Sequence, residues 1–195
     1  MLYACKNCNQ SVTTIRTKRD IRCNCNNPIV PAIKELNLEG IIIVADTREQ
    51  KNQHILTYCQ SEGIRVEHRK LNYGDYSIIV NGQDFSDCLS VERKGSLNEL
   101  AGNFTRGREC FEKEFGRMIK AQGRMIVVVE NGSIDDIINH KYLSAFNPKA
   151  FTASIESFEK RFSTKFNFMK RQQSPQFIVD WLIENASSQD LANVA

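Results

Sequence analysis

The chain has 195 residues, of which 41% are hydrophobic and 25% are charged, and its net charge is +3. This balance is typical of a globular protein with one domain and a small appendage, and it excludes a strongly basic or low-complexity chain. No apolar run approaches the roughly 20 residues that cross a bilayer, and the N-terminus lacks the pattern of a secretory signal. We therefore expect an intracellular, cytoplasmic protein, as in a bacterium or a phage-infected host, with no membrane partner.

The first 28 residues contain four of the seven cysteines, in two close pairs. The pairs are Cys5-x-x-Cys8 and Cys23-x-Cys25. Two thiol pairs joined by a short polar loop are typical of a structural zinc ribbon, because each pair supplies two ligands to a tetrahedral site. The alternative is a redox-active or unstructured tail. The other three cysteines are expected to be small core residues: Cys59, Cys88 and Cys110.

Composition divides the rest of the chain into three parts. Residues 26–37 contain two of the four prolines and no strong periodicity, which predicts a linker at 29–39. Residues 40–171 are expected to form the main domain. Residues 172–195 are expected to form a C-terminal helix and tail.

Hydrophobic periodicity predicts strands and helices that alternate through the main domain. Strands are expected at 41–45, 64–71, 76–80, 88–94, 125–129 and, at an edge, 165–169. A helix with Ile55, Leu56 and Cys59 inside ends near Gly63. Residues 104–121 are expected to form one amphipathic helix.

Three further helices have readable starts. Ser133, Asn147-Pro148 and Ser174-Pro175 are each expected to begin one. Together, these strands and helices predict an α/β fold, a mixed sheet with helices on both faces. The aromatic-rich helical stretches at 151–162 and 177–182 are expected either to form a dimer interface or to belong to the core.

Two short motifs in neighbouring strands carry the chemistry. Phosphodiester hydrolysis needs a hard cation that holds the phosphate, an activated water and a stabilised leaving oxygen. Magnesium prefers oxygen ligands, so two or more carboxylates must converge. Asp75 opens one strand and Glu92 lies near the end of the next. Because side chains alternate along a strand, Glu92 and Lys94 are expected to share a face from which Arg93 points away.

A third motif, Asp46-Thr47-Arg48-Glu49, follows the first buried strand. Ligands bind near such strand ends in open α/β sheets. The alternative is a helix N-terminus with its ordinary preference for acidic residues. Each motif alone is weak evidence, since a lone Glu-Arg-Lys or Gly-Asp-Tyr usually marks a solvated strand end or a turn.

Together and in this order, the motifs resemble the XPF family of structure-specific endonucleases, which includes the archaeal Hef proteins. The family's V-D-x-R-E, G-D-Y and E-R-K-x-x-x-D appear here as VADTRE, LNYGDY and SVERKGSLN. The resemblance implies a restriction-endonuclease-like fold, a magnesium- or manganese-dependent nuclease acting on branched, flap or fork DNA in repair or recombination, and a homodimer or a partner protein. It also implies magnesium ligands at Asp75, Glu92 and Asp46, a catalytic Lys94, and Arg48, Glu49 and Arg93 completing the site.

The sequence departs from the family pattern in three places. Asn98 replaces the last Asp of the third motif. A strict two-residue turn at Asn81-Gly82 would carry Glu92 four residues past Asp75, about 13 Å, so we expect residues 81–87 to form a wider loop. Members of the family carry helix-hairpin-helix modules after the nuclease domain, and none are expected here. The zinc segment would then provide additional contacts with DNA or bind a partner protein.

Basic residues in the predicted helix are candidates for DNA contact, above all Arg106 and Arg108. Acidic residues interleave with them, so a solvated face is the alternative. Two other functions stay open: a catalytically weak or inactive DNA-binding member of the same fold, and a zinc-ribbon protein whose α/β domain binds another protein.

Overall fold

The computed structural model describes the backbone of residues 2–5, 11–13, 29–31 and 38–192, and the side chains of residues 38–186. The chain divides into two units, Met1–Leu38 and Glu39–Ala195. The first unit contains three short antiparallel strands in the order β2-β1-β3: β1 (Leu2–Cys5), β2 (Ser11–Thr13) and β3 (Ile29–Pro31). The predicted zinc ligands Cys5, Cys8, Cys23 and Cys25 lie outside the residues whose side chains are described. Part of the predicted linker is the strand β3.

The second unit is built on a mixed sheet. Its path of strands is β10-β9-β8-β6-β4-β5, with β7 paired to β6. The strands are β4 (Ile41–Ala45), β5 (Arg65–His68), β6 (Tyr76–Val80), β7 (Gln83–Asp84), β8 (Leu89–Lys94), β9 (Arg124–Glu130) and β10 (Phe166–Met169). Neighbours run parallel except at β4–β6, β6–β7 and β6–β8. Every predicted strand is present, with β10 at an edge as expected.

Helices cover both faces of this sheet, as the sequence predicts. They are α1 (Gln53–Ser61), α2 (Leu97–Phe104), α3 (Arg108–Lys120), α4 (Ile134–Ile138), α5 (Pro148–Phe162) and α6 (Ser174–Ala192). Helices α1 and α6 pack together over the rear face, and α2, α3 and α5 cover the front face. Within the described residues, no helix has both the length and the apolar character of a membrane span.

The prediction of one helix over residues 104–121 is wrong. Phe104 ends α2, and α3 begins only at Arg108 after a break with Gly107 as its N-cap. Helix α2 was missed, although Ser96 caps it: Ser96 Oγ accepts a hydrogen bond from Glu99 N at 3.3 Å, and Glu99 Oε2 accepts one from the amide of the preceding Gly95 at 2.9 Å. The start signals at Ser133 and Asn147 are confirmed, because both side chains cap their helices.

An aromatic cluster fills the space between the front face and its helices. Phe158 lies at its centre and contacts five phenylalanine rings at centroid distances of 5.0–6.5 Å: Phe104, Phe111, Phe115, Phe162 and Phe166. The rear face buries Ile178 and Leu182 of α6. The aromatic-rich stretches at 151–162 and 177–182 therefore place their main apolar side chains in the core, the second of the two alternatives drawn from the sequence.

A hairpin with an irregular second strand sets the register of the sheet at the site. Asn81 and Gly82 have positive φ and form a two-residue turn, so Val80 pairs with Gln83. Further along, Tyr76 pairs with Val91. Between these two pairs lie three residues on β6 (77–79) and seven on the returning segment (84–90), so the returning segment has four extra residues. They follow the turn, and buried Phe85 lies among them. The expected wide loop at 81–87 is thus a tight turn followed by an insertion, and the predicted approach of Asp75 to Glu92 is confirmed.

Candidate active site

The pairing of β6 with β8 brings Asp75 beside Glu92. The Asp75 amide donates to the Val91 carbonyl at 2.8 Å, and the Arg93 amide donates to Asp75 Oδ2 at 2.8 Å. The Asp46 amide in turn donates to the Asp75 carbonyl at 2.8 Å. Asp75 is therefore held from both sides by the backbones of β8 and of the segment after β4.

Gly74 lets the chain approach β8 this closely. Its φ is +60°, and a Cβ there would lie 2.9 Å from both Ser90 Oγ and the Val91 carbonyl oxygen. A residue with a side chain would meet backbone strain and a clash with β8. The glycine of Gly74-Asp75-Tyr76 is thus required by the register that places Asp75.

Glu92 and Lys94 project together on the front face, as their alternation along the strand predicts. Lys94 Nζ donates to Glu92 Oε1 at 2.5 Å and lies 5.5 Å from the centroid of the Phe111 ring. Both side chains are buried. Arg93 between them projects to the rear face. The structure therefore brings Asp75, Glu92 and Lys94 into one site.

Burial and neighbouring negative charges raise the pKa of both carboxyl groups of this site. Burial raises the pKa of Asp75 well above its usual value, and the negative charge of Glu92 raises it further. Burial likewise raises the pKa of Glu92, although Lys94 counteracts this rise. Burial lowers the pKa of Lys94, but the charges of Glu92 and Asp75 outweigh it and raise the pKa overall. Two partly uncompensated carboxyls beside one ammonium are an environment that a divalent cation stabilises.

Asp46 has its oxygens engaged by protein groups. Arg48 donates to it from Nε at 2.8 Å, from Nη2 at 2.8 Å and from its backbone amide at 2.7 Å, and the Leu71 amide donates at 2.7 Å. Burial raises the pKa of Asp46, but the hydrogen bonds from Arg48 and Leu71 outweigh it and lower the pKa overall. Both oxygens of Asp46, predicted as a magnesium ligand, are thus saturated by hydrogen bonds from the protein. The Arg48 guanidinium in turn donates to Asp46 and to the Leu71 carbonyl.

Arg93 and Glu49 meet on the rear face. Arg93 Nη2 donates to Glu49 Oε1 at 3.1 Å and to the Lys51 carbonyl at 3.2 Å, and Nη1 donates to Glu130 Oε2 at 2.8 Å. These two predicted site residues therefore lie together, but on the side of the sheet away from Glu92 and Lys94.

Glu114, on α3, is a site residue that the sequence analysis missed. Its Oε1 accepts a hydrogen bond from the Gly74 amide at 2.9 Å. Its charge raises the pKa of Glu92 and also that of Arg48. The only sequence signal was its place beside the apolar stripe of Phe111, Phe115 and Met118, and the surrounding charges of α3 obscured it.

Asn98, which replaces the motif aspartate, holds a loop. Its Oδ1 accepts hydrogen bonds from the amides of Leu143 and Ser144 at 2.7 and 3.0 Å. Arg108 is also engaged, because it pairs with Glu112 at 3.0 Å. Arg106 is exposed and has no ion pair with any residue in the described part of the chain.

The carboxyl groups of the site suit magnesium, which needs only a few protein ligands. Among the described residues, no three His, Cys, Asp or Glu side chains form a cluster that could hold a metal ion. Magnesium, however, is usually bound through one or two carboxylates and keeps several waters. Asp75 and Glu92 match that requirement, whereas saturated Asp46 does not.

Comparison with known proteins gives the same fold. The structure of XPF from Aeropyrum pernix matches with a TM-score of 0.57 and 19% identity over 74% of this chain and 61% of that chain. XPF from Aeropyrum pernix in complex with DNA matches with a TM-score of 0.57 and 18% identity, over 75% and 66%. The chain therefore spans about two thirds of these structures or less. No curated protein shows a significant match.

The family model of the ERCC4 domain matches residues 45–183, most of the chain, and this range includes every predicted residue of the nuclease site. The central sheet flanked by helices agrees with the XPF nuclease fold. This protein therefore belongs to the ERCC4 domain family of nucleases.

Proposed function

We propose that the chain is a divalent-metal-dependent DNA endonuclease whose site consists of Asp75, Glu92 and Lys94. The observation that supports the proposal is the register of β6 and β8, in which half-buried Asp75 lies beside buried Glu92, both with a raised pKa, next to the buried ammonium of Lys94. Carboxylates and a lysine in this arrangement serve phosphodiester hydrolysis, in which charge develops on the phosphate and on the leaving oxygen.

Asp75 and Glu92 would hold Mg²⁺ or Mn²⁺, and a bound ion would polarise the phosphate and lower the pKa of a bound water. Lys94 orients the attacking water or stabilises the charge that develops on the phosphate. Its ion pair with Glu92 and its contact with Phe111 fix the ammonium in place. Asp46 and Arg48 act by positioning, because the Asp46 amide holds the Asp75 carbonyl.

The proposed substrate is branched, flap or fork DNA, cut during repair or recombination. The family match and the similarity to an XPF structure that contains DNA support this choice. Exposed Arg106 is the better candidate for a phosphate contact, since the guanidinium of Arg108 is already paired. Dimerisation stays a prediction, which light scattering of the purified protein will test.

Cleavage of labelled flap and fork DNA with Mg²⁺ tests the proposal. We expect the wild type to cut, chelation to stop cutting, and Glu92→Ala to lower the rate at least about 100-fold, the scale seen when a group that stabilises a transition state is lost. Glu156→Gln, at an exposed position of α5, is the matched control and should cut normally. A silent wild type, or a Glu92→Ala variant as active as the wild type, contradicts the proposal.

One observation favours the alternative of a weak or inactive DNA-binding member. Asn98 supplies no charge, and its carbonyl oxygen is used to hold the loop at Leu143 and Ser144. In that case the protein would bind fork DNA with little or no cutting, and Glu92→Ala would bind and cut the DNA as the wild type does.

We further propose that Cys5, Cys8, Cys23 and Cys25 bind one structural zinc ion. The spacing of the two thiol pairs supports this proposal. The pairing of Cys5 with Ile29 adds support, because Ile29 follows Cys25 by only four residues. Elemental analysis should find one zinc per chain and less in Cys23→Ser; a chain purified without zinc from zinc-supplemented medium contradicts the proposal.

A further inference from the structure

A buried polar cluster lies behind the proposed site, on the rear face of the sheet. Its centre is Glu130 at the end of β9, whose side chain is 1% exposed. Glu130 Oε2 accepts from Arg93 Nη1 at 2.8 Å, and Oε1 accepts from Ser174 Oγ at 2.5 Å and from His54 Nε2 at 2.6 Å. These partners come from three elements, β8, α6 and α1, so that one carboxylate joins the sheet to both helices of the rear layer.

The cluster is not a second hydrolytic site. Arg171 Nη2 lies 3.3 Å from His54 Nδ1, and a guanidinium only donates, so Nδ1 accepts and the proton lies on Nε2. Ser174 and Glu130 both contact this same Nε2. A nucleophilic relay requires the serine and the acid to be on opposite ring nitrogens. The contacts therefore serve to fix Glu130.

Arg93 connects this cluster to the proposed site. Its guanidinium is held by Glu130 and Glu49 on the rear face, while its backbone amide donates to Asp75 Oδ2 on the front. Its neighbours along β8 are Glu92 and Lys94. A buried carboxylate that loses its charge leaves the opposite guanidinium poorly compensated, and any shift of Arg93 would move both front-face residues with it.

We propose that Glu130 is a positioning residue of the site: it anchors Arg93 from behind the sheet and thereby fixes Glu92 and Lys94 against Asp75. Ser174 and His54 orient the carboxylate, so the packing of α6 contributes to the positioning of Glu130. The inference rests on the proposed nuclease function for its kinetic consequence, but the placement of Lys94 is measurable without any cleavage.

Glu130→Gln tests the inference, because it keeps the size of the side chain and removes its charge. We expect kcat on fork DNA with Mg²⁺ to fall about tenfold to 100-fold, the effect of a small misplacement of catalytic groups, with KM within about twofold because no DNA contact is lost. The ¹³Cε signal of Lys94 in lysine-labelled protein, assigned with Lys94→Arg, should shift.

Ser174→Ala removes one contact to Glu130 and should give a smaller change of the same kind, so the inference can still be tested if Glu130→Gln does not fold. Glu156→Gln is the control that should change neither signal nor rate.

The outcomes separate positioning from a merely structural role. If Glu130→Gln lowers the melting temperature while kcat of the folded protein and the Lys94 signal stay unchanged, the inference is overturned. If the wild type does not cut DNA, the proposed function fails, and the Lys94 signal alone decides: a shift in Glu130→Gln supports the positioning role, and an unchanged signal overturns it.

Discussion

The residues in and around the site depend on different kinds of sequence information. Glu92 and Lys94 share a face because strand side chains alternate, so their grouping was predictable from spacing two apart. The saturation of Asp46 was not, since it depends on Leu71, which is 25 residues away. Glu114 and Glu130 were missed because one lies among the alternating charges of α3 and the other ends an apolar run, and neither pattern distinguishes a site residue from a solvated one.

Gly74→Ala should destabilise the fold at the site. Its φ of +60° costs about 1 to 3 kcal/mol for a residue with a side chain, and the added Cβ also meets Ser90 and Val91. Gly63→Ala is the matched control, because Gly63 has a φ of +69° but no atom within 4 Å of an added Cβ. Urea unfolding should show the larger loss at Gly74; equal losses would mean that close packing against β8 is not required there.

Glu114→Gln should shift the acid limb of the pH–rate profile to lower pH. The charge of Glu114 raises the pKa of Glu92, so removing it lowers that pKa and leaves Glu92 ionised at a lower pH. The amide oxygen of glutamine can still accept the hydrogen bond from Gly74. Initial rates measured with Mg²⁺ across the acid range check this, with Glu156→Gln as reference. A shift to higher pH contradicts the assigned electrostatics.

At the scale of elements, the alternation of strands and helices was readable, but two boundaries were not. The aromatic residues of α2 and α3 follow one another closely enough to suggest a single helix, and the break between them is marked only by Thr105 and Gly107. The place of the insertion after the Asn81–Gly82 turn was unpredictable from turn chemistry, because the turn residues set only the Val80–Gln83 pair, and buried Phe85 lies among the extra residues.

Helix α6 packs against β6, β8 and α1, and it thus forms part of the layer that covers the rear face. Leu182→Ala removes a fully buried side chain and should cost about 2 to 5 kcal/mol. Ile183→Ala, at the neighbouring half-buried position, should cost less. The free energy of unfolding in urea measures both, and a Leu182→Ala cost no greater than that of Ile183→Ala would contradict the packing of α6.

At the scale of the whole molecule, the sheet separates two chemistries. The front face carries the carboxyls and the lysine of the proposed site, and the rear face carries the Glu130 cluster that holds Arg93. The motif order in the sequence identified the family and the fold class, because the motifs mark neighbouring strand ends. Alternation along β8 already separates Glu92 and Lys94 from Arg93, but the placement of Asp75 beside Glu92 and of Glu49 beside Arg93 depends on contacts between distant segments.

The binding of Mn²⁺, followed by electron paramagnetic resonance, tests most directly whether Asp75 and Glu92 share a cation. We expect the wild type to bind the ion, and Asp75→Asn and Glu92→Gln each to weaken binding at least about tenfold, because losing even a group that supports a metal ligand has an effect of about that size. Glu156→Gln should bind as the wild type does. Equal affinity in all four proteins would contradict the account.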